Sequence, residues 1–427
     1  MTIVSQQTIL DRYKENMVNH AACLADIQSR LMDSRRLDLD RLTSRISLEI
    51  TGQNPASSTP RHVLFDTDWL KEFALGDITR CLGKEFTIYA GRKSPRIPNG
   101  DLMLISRIVE INGSRGDFSR PSTITAEYDV SPDAWFFSDH DNGNIPVSIL
   151  MEVALQPCGV LSAWLHTQLR YPQVDFSFRN LDGTITMLDP ALMRGRTITT
   201  RAVLDRTSFS GSTIIQHFNF SLSCDGRIFL KGETTFGYFP EAAMAAQSGL
   251  DNGRQTLPRG DNPEILPGLT VISRLADRPG TTLPGNKLRM IDSIAIEKNR
   301  QSGRLEYVQS SRQNSPSDWY YVNHFLGDPV MPGSLGVEAI FQAIASAIKV
   351  TSGNAGPIRS ACGHEMKWKY RGQVLPSNKM VHFDVQVSDV ENTSSGTRYT
   401  ASANLWADNL RIYEISNLSL IQLPKEN

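Results

Sequence analysis

Apolar residues recur at helical spacing from Gln6 to about Leu42, where Leu10, Tyr13, Met17, Leu24, Ile27 and Leu31 stand among charged neighbours. This pattern predicts an amphipathic helix, a docking or dimerisation arm or one simply laid on the main body. Pro, Ser and Asn then crowd "TGQNPASSTPRH", which reads as a flexible joint. Two later segments differ in kind. "IPVSILMEVALQPCGVLSAWL" (Ile145–Leu165) and "MPGSLGVEAIFQAIASAI" (Met331–Ile348) are apolar on nearly every face. Each is followed by alternating, β-branched stretches such as "STIIQHFNFSL", "RIFLKGETTFGYF" and "MVHFDVQVSD", which predict antiparallel strands. A helix apolar all round needs a sheet wrapped about it, so the class expected is α+β.

The pattern occurs twice. "LMLISRI" (Leu102–Ile108) answers "LRMIDSI" (Leu288–Ile294), and "DAWFF" (Asp133–Phe137) answers "DWYYV" (Asp318–Val322). Between the apolar helices Pro146 matches Pro332, Glu152 matches Glu338 and Gln156 matches Gln342, while "MRGR" (Met193–Arg196) answers "YRGQ" (Tyr370–Gln373). The expected division is an N-terminal helical arm and linker over 1–60, a first half over 61–246, a linker over 247–264 and a second half over 265–427. Two such sheets can join edge to edge, making one chain a pseudo-dimer; the alternative is two independent domains on a string.

Composition narrows the classes of function. Over 427 residues, 44 basic and 45 acidic side chains give a formal net charge of -1 with no long block of either sign, so nucleic acid is not an expected partner. The start lacks the pattern of a signal peptide and no run of 18 or more apolar residues occurs, so a soluble, cytoplasmic protein without a membrane span is expected. Five scattered cysteines without CxxC spacing argue against disulfides or zinc, and the histidines outside the motifs share no ligand spacing, so no metal is expected.

Chemistry gathers at the mouth of the second apolar helix. Pro329 and Pro332 fix the backbone there, and Gly333 leaves an unobstructed amide in the first turn, where free N–H groups and the positive helix end favour an oxyanion. His324, eight residues before Pro332, is placed to act as a general base. Glu338 and Gln342 share a face one turn apart, and a carboxylate inside so apolar a helix must be paired or protonated. A base, an acid and an oxyanion hole suit removal of a proton α to a thioester carbonyl with loss of a β-hydroxyl.

The run "NHFLGDPVMPGSLGVEAIFQ" resembles the HFxGDPxMPGxLxxD/E signature of the β-hydroxyacyl-ACP dehydratases of hotdog fold, and "KWKYRGQVLP" (Lys367–Pro376) is similar to that family too. The first half is similar to the leading hotdog of tandem dehydratase regions in polyunsaturated-fatty-acid synthases and related iterative polyketide-type synthases. The resemblance implies a double hotdog in which His324 is the base, Glu152 of the other half its acid partner and the Gly333 amide part of the oxyanion hole. A mirror site would pair His140 with Glu338. It departs from the motif: His140 lies six residues before Pro146, "DHDNGNIPV" lacks the HFxGDP pattern, and Val147 stands where Gly333 stands.

Gln156 and Gln342 are then expected to orient the glutamates, and Trp135, Phe137, Trp319 and Tyr321, with Pro332 at the helix mouth, to border the acyl tunnel, with ordinary core aromatics as the alternative. The implied function is a 3-hydroxyacyl-ACP dehydratase giving 2-enoyl thioesters. The same base suffices for isomerisation from trans-2 to cis-3, which needs a second proton transfer at C4. No dissociable cofactor is implied, because phosphopantetheine arrives with the substrate. The implied partners are an acyl carrier protein and other synthase domains, with association of two chains through the N-terminal helix left open. A hotdog thioesterase and a silent acyl-binding scaffold are the rivals.

Overall fold

Strands with residues alternating between a buried and an exposed face account for most of the regular structure among the described residues. The computed structural model describes residues 63–139, 144–190, 193–258, 270–273, 286–353 and 356–425. The expected N-terminal arm lies outside the described residues, as does His140. In the first half the strands are β1 (Arg107–Asn112), β2 (Ser122–Asp129), β3 (Phe176–Met187), β4 (Thr197–Ser210), β5 (Thr213–Cys224) and β6 (Arg227–Pro240). In the second they are β7 (Thr270–Ser273), β8 (Ser293–Lys298), β9 (Leu305–Gln313), β10 (Ile358–Ser360), β11 (Glu365–Tyr370), β12 (Met380–Thr393), β13 (Gly396–Ala407) and β14 (Leu410–Gln422). The helices are α1 (Thr67–Leu75), α2 (Ile78–Leu82), α3 (Trp135–Asp139), α4 (Val147–Trp164), α5 (Glu241–Ala245), α6 (Trp319–Asn323) and α7 (Gly333–Ser352).

All the strands join one antiparallel sheet in the order β1-β2-β4-β5-β6-β3-β11-β14-β13-β12-β9-β8-β7, with β10 beside β14. Read outward from the seam, β3-β6-β5-β4-β2-β1 is matched by β11-β14-β13-β12-β9-β8, and β7 extends the second half by one strand. Helices α4 and α7, the two apolar segments, lie in the hollows, where Ile149, Val153, Ala154, Leu161, Val337, Ile340 and Ile344 are essentially inaccessible to water. Each is long and apolar enough to cross a membrane, yet most of each is buried inside the protein, so their composition reflects a wrapped core position. This is the double hotdog that the family resemblance implied. Stretch 247–264, expected to be a linker, is partly docked: Leu250 donates to Arg411 O (2.8 Å), Thr256 donates to Asn409 O (2.8 Å), and Asp251 pairs with Arg411 (2.6 Å).

The seam between halves is the β3·β11 pairing, in register from Glu365↔Thr186 through Trp368↔Gly183 to Lys369↔Asp182. Residues directly opposite in an antiparallel pair share a face, so a two-fold axis normal to the sheet can run through such a pair. The lining of the two hollows puts it at Trp368↔Gly183: two residues onward lie Tyr370 on β11 and Ile185 on β3, and each lines the hollow of its own side. Tyr370 therefore answers to Ile185, not to Met193 as the "MRGR"/"YRGQ" match suggests. At the axis the indole of Trp368 covers Gly183, where a Cβ would come within 2.3 Å of Trp368 Cζ2, and its Nε1 donates to Asn180 Oδ1 at 2.7 Å.

Candidate active site

Proline sets the start of both central helices. Pro146 and Pro332 are the N-caps of α4 and α7, with φ of -56° and -53°, and the second residue of each helix is a serine. Ser334 Oγ donates to Glu152 Oε1 of the other half at 2.6 Å, and Ser148 Oγ donates to Glu338 Oε2 at 2.7 Å. Gln156 Nε2 donates to Glu152 Oε2 (2.9 Å) and to Leu102 O (2.8 Å), while its Oε1 accepts from Leu104 N (3.0 Å). Gln342 repeats this with Glu338 Oε1 (2.9 Å), Leu288 O (2.5 Å) and Met290 N (3.1 Å). Both glutamates are thus buried, held by a glutamine of their own helix and a serine of the opposite one. The sequence reading assigned the glutamines and overlooked the serines, although the repeated Pro-x-Ser start was visible.

Glu152 faces a large space. A cavity of about 390 Å³ is lined by Glu152, Gln156, His324, Gly333, Ser334 and Tyr370, together with further side chains of both halves. Burial pushes the Glu152 carboxyl above its ordinary range, against the pull of its hydrogen bonds from Ser334 and Gln156, so it favours the protonated form. His324 ends α6, and its Nδ1 lies 2.9 Å from Val330 O. A carbonyl can only accept, so Nδ1 carries the hydrogen and Nε2 keeps its lone pair. Burial lowers the imidazole to about 4, outweighing the Val330 contact, so the ring is neutral near pH 7. A neutral imidazole and a protonated carboxyl lining one cavity can take a proton from one carbon and deliver one to a leaving group on the next.

The loop that carries His324 is clamped across the halves. Asp328 accepts two bonds of 2.7 Å from Arg179 and pairs with Lys93 at 2.8 Å, and Arg179 Nε also donates to Gln373 Oε1 at 2.6 Å. Burial alone would raise the Asp328 carboxyl, but these two cations hold it below the ordinary range. Gly333 is required by contact: a Cβ there would lie 2.5 Å from Tyr370 Cε2.

This arrangement sits inside two tandem matches to one family, the FabA-like domain, over residues 97–232 and 283–416. The chain belongs to the FabA-like domain family. It is 34% identical over 377 residues to a polyunsaturated fatty acid synthase subunit of Thraustochytrium sp., covering 82% of this chain and 25% of that relative. The chain thus spans a quarter of that protein's length. Among solved structures it is similar to the dehydratase domain from the CurJ module of curacin polyketide synthase (11% identity, TM-score 0.42, 76% of this chain and 98% of that one). It is similar to the same degree to a putative oleoyl thioesterase from Lactobacillus plantarum (9% identity, TM-score 0.42, 71% and 97%).

The aromatic residues of the FabA-like halves lie apart from this cavity. Trp135 and Trp319 meet edge to face at 5.3 Å, with Lys287 beside both rings, and their Nε1 groups donate to Asp101 O and Lys287 O. Tyr321 donates to Asn314 Oδ1 at 2.8 Å, and Phe137 packs beneath Arg194. None of these four, nor Pro332, is among the residues lining the cavity. Phe178, Phe236 and Phe239, which the sequence reading did not single out, do line it. Among the described residues no group of three or more His, Cys, Asp or Glu is arranged to hold a metal ion.

Proposed function

We propose that the chain is a 3-hydroxyacyl-[acyl-carrier-protein] dehydratase working at one site, built from His324 of the second half and Glu152 of the first. The observation that carries this reading is the shared 390 Å³ cavity in which His324 and Glu152, a carboxyl that burial raises above its ordinary range, meet the glycine-started end of α7. His324 Nε2 takes the α-proton, the Cα–H electrons form the Cα=Cβ bond, and the Cβ–O bond breaks. The hydroxyl leaves as water with the proton of Glu152. The Gly333 amide, at the positive end of α7, holds the negative charge that gathers on the thioester oxygen. Proton return from the imidazolium to the carboxylate resets the site.

The substrate is a thioester on the phosphopantetheine of a carrier protein, and the other domains of a synthase are the expected company. The intact chain and His324→Ala, each given a 3-hydroxyacyl pantetheine and followed by enoyl absorbance, test the proposal. Turnover in the first and a loss of about 10³-fold or more in the second are expected, since a general base supplies roughly 10²–10⁴. Release of free acid would instead identify a thioesterase, and binding with no product an acyl-binding scaffold.

A further inference from the structure

We propose that the hydroxyl of Tyr370 is a second hydrogen-bond donor to the thioester carbonyl oxygen, beside the Gly333 amide. The inference rests on the dehydratase reading above and assigns one more residue to its site. Tyr370 closes β11, is only 5% exposed and lines the catalytic cavity. Its hydroxyl oxygen has no hydrogen-bond partner among the described residues. A buried hydroxyl left unpaired costs about 1–3 kcal/mol, so a fold is not expected to keep one where phenylalanine would fit. A group awaiting a ligand accounts for the exception.

Position identifies which ligand atom. The ring lies on Gly333: a Cβ at that residue would fall 2.5 Å from Cε2 and 3.0 Å from Cζ, the carbon that bears the hydroxyl. The donor therefore stands against the first turn of α7, where the amide and the helix end already attract an oxyanion. Glu152 serves the other end of the reacting unit, with each carboxyl oxygen steadied by one donor. Burial, with Tyr413 and Glu152 nearby, pushes the phenol well above its ordinary range, so it keeps the hydrogen it would donate. On the far side of the axis the equivalent residue is Ile185, which lines a space of only about 10 Å³. The hydroxyl thus occurs beside the 390 Å³ cavity and is replaced by an alkyl group beside the smaller space. No proton leaves Tyr370 in the cycle; it shares its hydrogen with the oxygen as charge builds there.

The test uses the full chain as wild type, His324→Ala and Tyr370→Phe with two probes. One is 3-hydroxyoctanoyl pantetheine, reporting dehydration; the other is octanoyl pantetheine in D2O, which lacks the leaving group and reports only α-hydrogen exchange. For Tyr370→Phe both rates should fall about 10- to 100-fold in kcat with KM little changed, near the range for losing an oxyanion donor. Its thermal midpoint should be unchanged or higher, since an unpaired polar group has been removed.

Wild-type rates in Tyr370→Phe, with His324→Ala inactive, would overturn this assignment and leave the dehydratase reading standing. Slower dehydration with normal exchange would also overturn it, by moving the hydroxyl to the leaving group. A midpoint several degrees lower would make the hydroxyl structural. A wild type inactive with both probes would remove the dehydratase reading and this inference together.

Discussion

The two halves hold the same glutamate, glutamine and serine in the same hydrogen bonds, yet Tyr370 of one half shares a cavity of about 390 Å³ with Glu152, while its equivalent Ile185 lines a space of about 10 Å³. The difference lies in the walls. Where one side has Gly333 and Tyr370, the other has Val147 and Ile185, and Met187, Leu230, Phe341 and Met366 close in on them. The Glu338 network ties α7 to Ser148 of the opposite helix and to the backbone at Leu288 and Met290 through Gln342, which is a structural task. Glu152 does the same work and also faces an opening.

The comparison is broken most sharply by removing one carboxyl at a time. Glu152→Gln should lower kcat about 10³-fold, the scale of a general acid, whereas Glu338→Gln should leave kcat within a few-fold; enoyl formation measures both. Equal losses would mean two working sites. Next come reciprocal changes at the helix starts. Gly333→Val drives a branched side chain into Tyr370, and overpacking should cost about 1–3 kcal/mol with about a 10²-fold loss in kcat/KM. Val147→Gly should keep the rate and cost about 1 kcal/mol from backbone freedom, read by urea titration.

The pH dependence of kcat/KM should be bell-shaped, changing about tenfold per unit on each limb. Neutral His324 is needed, so the rate rises with pH through about 4. Protonated Glu152 is needed too, so the rate falls as pH climbs through its raised pKa, and that limb should vanish in Glu152→Gln. The same histidine bears on stability. Its folded pKa is below the unfolded value of 6.5, so between 6.5 and about 4 the unfolded chain binds more protons and stability drops as pH falls. Smallest among the activity effects, Asp328→Asn should loosen the His324 loop and lower kcat about tenfold, less than the roughly hundredfold of a 1 Å misplacement.

Much of this was legible in the sequence, and the limit has a physical form. The apolar helices and the tandem halves follow from spacing, and the pairing of His324 with Glu152 is what the family resemblance implies. Ser334 meets Glu152 across 182 residues and Arg179 meets Asp328 across 149, and such partners become visible only when the sheet is joined at β3 and β11. The aromatic residues near α3 and α6 misled because large side chains near a helix mouth serve either a tunnel or an interface, and only packing distinguishes the two. The match of "MRGR" to "YRGQ" failed for a similar reason: strand register, not local likeness, decides which residue answers Tyr370.

The tryptophan laid over glycine at the seam carries an evolutionary consequence. A residue on a true two-fold axis must face its own copy, so two identical subunits would set indole against indole or leave a gap between two glycines. Covalent linkage of unlike halves removes that constraint. With Trp368 on one strand and Gly183 on the other, the joined sheet takes one of each at its axis, a pairing that one chain of unlike halves supplies and two identical subunits do not.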